Sequence, residues 1–95
     1  MRLSYGEREA ILKSFYEVFK EGKIYLFGSR VDDSAKGGDI DLYIVTELQE
    51  NLMRLKIDFL VNLKRKIGNQ KIDVVISQDR DRPIEQEALS KGIEL

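Results

Sequence analysis

From Asp39 to Ile44 the chain alternates without a break: Asp39, Asp41 and Tyr43 fall on one side, Ile40, Leu42 and Ile44 on the other. Successive strand residues point to opposite faces, so this run predicts a β-strand with a dry side and a working side. Its connections limit the fold more than the strand itself does. Upstream, the short β-prone run Ile24-Tyr25-Leu26-Phe27 ends at Gly28, and only the eleven residues 28–38 join it to the alternating strand. That is short for a parallel crossover, so the two strands are expected to be antiparallel. Downstream, Lys71–Ser77 reads as a third strand, with Ile72, Val74 and Ile76 on one face. The connection between 45 and 71 holds a full helix, which predicts a parallel pair with a right-handed crossover.

Ser4-Tyr5-Gly6-Glu7 has the form of a capping box and opens a helix over about residues 5–21, with Ile11, Leu12, Phe15, Val18 and Phe19 inward and Gly22 as the stop. Thr46 is expected to cap a long helix that runs to Ile67 and is stopped by Gly68-Asn69. Its main apolar stripe is Leu48, Leu52, Leu55, Phe59, Leu63 and Ile67; Met53, Ile57 and Val61 form a second beside it, with Leu60 between them. Together they are wider than one core face needs. Pro83 suits the first turn of a last helix carrying Ile84, Ala88 and Leu89 and stopped by Gly92, after which Ile93–Leu95 leave a short extended tail. The expected fold class is α/β (α+β): one domain over 1–95, a small mixed β-sheet with helices packed mainly on one face.

Composition narrows the chemistry. There is no cysteine and no histidine, which excludes disulfides, thiolate or imidazole catalysis and Cys- or His-bound metal. Any metal must be a hard cation held by oxygen. Sixteen basic against seventeen acidic side chains give a net charge of −1, so DNA binding driven by bulk charge is not expected. No signal peptide or membrane span is read, and the expected compartment is the cytoplasm.

The candidate site begins with Asp39 and Asp41, whose Cβ atoms would stand about 6–7 Å apart on one strand face. Asp73 lies on the adjoining strand, opposite its own aliphatic row. Like charges about 5 Å apart repel by about 3 kcal/mol at an effective dielectric near 20, and a divalent cation removes that cost. Solvent-facing carboxylates on a half-buried sheet are the plain alternative. The conjunction with Gly28-Ser29, directly after a strand, favours the site: glycine lets the backbone approach a phosphate, and a short helix after it would present N–H groups.

The set Phe27-Gly28-Ser29-Arg30, Asp39-Ile40-Asp41-Leu42-Tyr43-Ile44 and Ile72-Asp73-Val74-Val75 resembles the nucleotidyltransferase superfamily typified by DNA polymerase beta, and in particular its minimal stand-alone branch. The resemblance covers roughly residues 20–95 and implies the palm-like nucleotidyltransferase fold. It implies that Gly28, Ser29 and Arg30 bind the phosphates of ATP, that Asp39, Asp41 and Asp73 bind magnesium (two ions with nucleotide present), and that Asp73 helps to activate an acceptor hydroxyl. It also implies a partner. Only nineteen residues, Ser77–Leu95, follow the third strand, too few for an added substrate domain. In the minimal branch the partner is commonly a helical HEPN-family toxin, neutralised by AMP transfer to a tyrosine, by masking, or by both.

The second stripe, Met53, Ile57 and Val61, is the expected contact, unless the last helix covers it. Asp32, where relatives carry a cation, favours a catalytically silent antitoxin that acts by binding alone; the preserved aspartates favour the enzyme. A small-molecule acceptor fits less well, for want of chain to build its pocket. Lys36 reads as a solvated loop lysine and Lys64-Arg65-Lys66 as solvated cations at a helix C-terminus. Tyr5, Tyr16, Tyr25 and Tyr43 read as packing residues, with Tyr43 on the working face.

Overall fold

The capping box forms as the sequence predicts: the Glu7 N–H donates to the Ser4 hydroxyl and the Ser4 N–H to the Glu7 carboxylate, each at 3.0 Å. Helix α1 (Tyr5–Val18) follows, and ends earlier than expected because Lys20 itself takes a left-handed conformation (φ 67°) ahead of Gly22 (φ 104°). The computed structural model describes residues 1–35 and 37–95; the reading of Lys36 as a loop lysine lies outside the described residues.

Strands β1 (Lys23–Phe27), β2 (Ile40–Val45), β3 (Ile72–Ile76) and β4 (Ile93–Glu94) form one sheet in the order β3-β2-β1-β4. β1 and β2 are antiparallel and β2 and β3 parallel, as the two connection lengths require. The extended tail becomes β4, paired antiparallel with β1.

Helix α2 (Leu52–Ile67) starts later than the sequence suggests. Thr46 does not cap it: the Thr46 hydroxyl accepts from the Leu48 N–H at 3.1 Å and donates to Glu21, while Asn51 at φ 58° makes the actual break. Local hydroxyl–backbone bonding of this kind competes with helix, and it leaves Leu48 outside α2 and exposed. The inward face of α2 (Phe59, Leu63) packs with Ile11 and Phe15 of α1 and with Phe19 just after it against the aliphatic rows of β1, β2 and β3. Ser14, buried between α1 and α2, donates to Asn62 Oδ1 at 2.9 Å and accepts from Lys66 Nζ at 3.1 Å, so one of the three cations read as solvated also ties the two helices together.

Helix α3 (Pro83–Lys91) lies on the other side of the sheet, where Ala88 packs with Phe27 and Tyr43. The face expected for this helix is corrected. Ile84 and Leu89 are exposed, and the residues turned inward are Ala88 and the charged Glu85. Polar anchoring, not apolar periodicity, seats it. Tyr43 is accordingly fully buried, and Tyr5 and Tyr16, read as packing residues, are exposed. Because α3 takes the opposite face, nothing among the described residues covers Met53, Ile57 and Val61, which are 68%, 49% and 45% exposed. No helix among the described residues is long and apolar enough to cross a membrane.

Candidate functional site

Asp41 and Asp73 are direct register partners across the parallel β2–β3 pair, so their side chains leave the same face of the sheet. That is the face α3 covers further along, where its Ala88 packs over Phe27 and Tyr43 beside Val75; the aspartate end stays open, with Asp41 half-buried and Asp73 exposed. Asp39, half-buried just ahead of β2, belongs to the same side. Burial first, then the negative charges of Asp73 and Asp39, push the Asp41 carboxyl above its ordinary value. Asp41 and Asp73 thus stand side by side across the strand pair, while Asp39 is drawn to Lys71.

The Gly-Ser bend meets this cluster. Phe27 is the register partner of Asp41, which carries Gly28 alongside the aspartate. Gly28 has φ 76°, and a Cβ there would stand 2.2 Å from Asp41 Oδ2. Gly38 performs a similar service for Ser29: its φ is 91°, and a Cβ would stand 2.2 Å from Ser29 Oγ. The short helix expected at Gly28-Ser29 is present as a single 3-10 turn, Gly28–Val31.

Two arginines brace that turn. Arg2 donates from Nη2 to the Ser29 carbonyl and from Nε to the Asp32 carbonyl, both at 2.9 Å. Arg30 donates from Nη1 to the Arg2 carbonyl at 2.9 Å and from Nε to the Gly38 carbonyl at 3.3 Å. Part of the guanidinium expected to clamp phosphate is thus spent on the loop's own backbone. Asp32 accepts from the hydroxyl and N–H of Ser34, which hold its carboxyl below the usual range. Its charge is engaged within the loop.

Three residues without a role in the sequence pattern act in this region: Lys71, Glu85 and Arg2. Lys71 Nζ pairs with Asp39 Oδ2 at 3.3 Å, and that bond and charge, with the charges of Asp73 and Asp41, push its ammonium up. The signal was there: Lys71 has the same parity as Asp73, hence the same face. Glu85 is fully buried, accepting from the Tyr43 hydroxyl at 2.8 Å, the Asp79 N–H at 2.9 Å and Arg82 Nε at 3.0 Å. Burial pushes its carboxyl up, but the Asp79 N–H, the Tyr43 hydroxyl and the Gln78 N–H outweigh that and bring it to about 2. Pro83 at the helix start, which puts Glu85 at the third helical position, was the available clue. For Arg2, distant in sequence from everything it holds, no signal existed.

The donor set suits a hard cation: carboxylates only, pressed together, with an ammonium as the present counter-charge. Asp39 is turned to Lys71, and among the described residues no three acidic side chains are disposed to hold an ion together.

A family model described as "Polymerase beta, Nucleotidyltransferase" matches residues 9–95. Among solved structures, the toxin–antitoxin MntA–HpeT, in a mutant form with two aspartate-to-glutamate substitutions, is similar with a TM-score of 0.70 and 18% identity, covering 93% of this chain and 70% of that one. No curated protein matches the chain.

Proposed function

The chain belongs to the polymerase beta nucleotidyltransferase family, and from that premise we propose that it transfers AMP from ATP to a hydroxyl, a tyrosine of a helical HEPN-family toxin, and so acts as an antitoxin in the cytoplasm. Residues 1–95 serve as one minimal catalytic domain in this reading. The observation that carries it is the meeting of Asp41 and Asp73, aligned in register, with a Gly28 that approaches Asp41 too closely for any side chain. The likeness to MntA–HpeT supports the toxin as partner.

Asp41 and Asp73, joined by Asp39 on exchanging its Lys71 partner for the ion, would hold magnesium, which when bound neutralises phosphate charge and the carboxylates' mutual repulsion. Gly28 and Ser29 admit the β- and γ-phosphates against the backbone, and Arg30 adds positive charge beside them. The acceptor oxygen attacks the α-phosphorus; the bond from that phosphorus to the bridging oxygen breaks and pyrophosphate leaves. Asp73, the most exposed of the three, takes the acceptor's proton. Positioning and electrostatics supply the rate. The partner contacts the uncovered α2 face at Met53, Ile57 and Val61, whose exposure is what supports this surface.

A second reading has an observation of its own. With Asp39 bound to Lys71 and Arg30 bound to backbone carbonyls, the fold in this second reading serves only to cover the toxin. One experiment separates the two: the protein is incubated with labelled ATP, magnesium and the toxin encoded beside it, and both chains are weighed. A gain of one AMP on the toxin, lost with Asp39→Ala and Asp41→Ala, supports transfer. Neutralisation that survives both substitutions without any mass gain supports masking.

A further inference from the structure

Strand β3 is the outer strand of the sheet, paired only with β2, so one side of its backbone has no strand partner. Such an edge is a template for another strand unless it is blunted by charge, proline or cover. The stretch Val74-Val75-Ile76 carries neither charge nor proline. It lines an open groove of about 300 Å³, walled on one side by Leu52, Met53 and Lys56 of α2 and on the other by Arg82 and Ile84. Met53 and Ile84 are exposed although apolar. Strand edge below and apolar side chains on both walls match the way extended peptides are bound by strand addition, where main-chain bonds give affinity and alternate side chains fill pockets.

Charge decides the occupant. Both charged lining residues are cations; Arg82 is already bonded through Nε to the buried Glu85, whereas Lys56 makes no ion pair among the described residues and is the principal charge offered to a ligand. A second copy docked edge to edge would bring Lys56 and Arg82 toward their own counterparts, and like charges facing each other across an interface are costly. We propose that the β3 edge groove binds an extended segment of another protein, one whose apolar side chains alternate with acidic ones. The apolar positions fill the space between Met53 and Ile84, and the acidic positions meet Lys56 and Arg82. The site lies on the strand's outer edge and does not depend on nucleotide transfer.

The test is an NMR titration of the isotope-labelled full chain with a synthetic peptide of alternating valine and glutamate, against the same peptide with lysine for glutamate. Saturable shifts confined to Ile72–Ile76, Met53, Lys56 and Ile84, with binding at least about fivefold tighter for the acidic peptide, are expected. Lys56→Glu, a change at a half-buried helical position, should narrow or reverse that preference, with the spectrum of the free variant checking that it stays folded. Shifts elsewhere, equal affinity for the two peptides, or an unchanged preference in the variant would overturn the proposal. So would self-association through β3 in the peptide-free protein, since that would make the occupant a second copy.

Discussion

Gly28 shows how one residue's missing side chain can shape a site. Its left-handed backbone and its contact with Asp41 both reject a Cβ. Gly28→Ala is expected to cost about 1–2 kcal/mol in urea denaturation, from backbone strain, and to abolish nucleotidyl transfer by displacing the Asp41 carboxylate. Wild-type stability together with full transfer would contradict this. The aspartates themselves were legible because a spacing of two is unambiguous on a strand: Asp39 and Asp41 had to share a face, and the parallel register then set Asp73 beside Asp41. By the same rule Lys71 shares the face of Asp73, whereas its pairing with Asp39 was not legible, because Asp39 lies outside β2. Arg2 was not legible, since its hydrogen bonds reach Ser29 and Asp32 across a turn whose path no local pattern encodes.

At the scale of elements, α3 is held by a buried carboxylate rather than by an apolar stripe. The folded-state value of Glu85, about 2, lies below the ordinary 4.5, so its contribution to stability is complete above pH 4.5 and is lost as pH falls toward 2. Glu85→Gln should therefore flatten the pH dependence of stability in that window, and Tyr43→Phe should cost about 1–2 kcal/mol by leaving a buried acceptor short of a donor. Thermal melts across pH 2–6 check both. Helix periodicity could not reveal this, because Ile84 and Leu89 imitate an inward face and Glu85 imitates a solvated one. The start of α2 differs from its sequence pattern for a related reason: residues 47–51 are compatible with helix, and Thr46's own hydrogen bond and the turn at Asn51 prevent it. The surface that α3 leaves open on α2 gives a further prediction. Ile57→Glu should change stability by no more than about 0.5 kcal/mol yet abolish the complex with the toxin, as read by size-exclusion chromatography; an intact complex would remove the Met53–Ile57–Val61 face from the account.

Across the whole molecule, two connection lengths fixed most of the architecture: the short link made β1 and β2 antiparallel, and the helical one made β2 and β3 parallel. The sheet is packed on both faces, and its α3 side is open where Asp41 and Asp73 emerge. What stayed hidden was which helix takes which face, a tertiary choice that depends on the Tyr43–Glu85 bond. The central claim is that this opening holds a nucleoside triphosphate together with a divalent ion. Calorimetric titration of ATP into the protein tests it most directly, run with magnesium, with chelator and with Asp41→Ala. The account predicts saturable binding at one site with magnesium, lost or severely weakened in chelator and in the variant. Absence of binding, or binding indifferent to both changes, would contradict it.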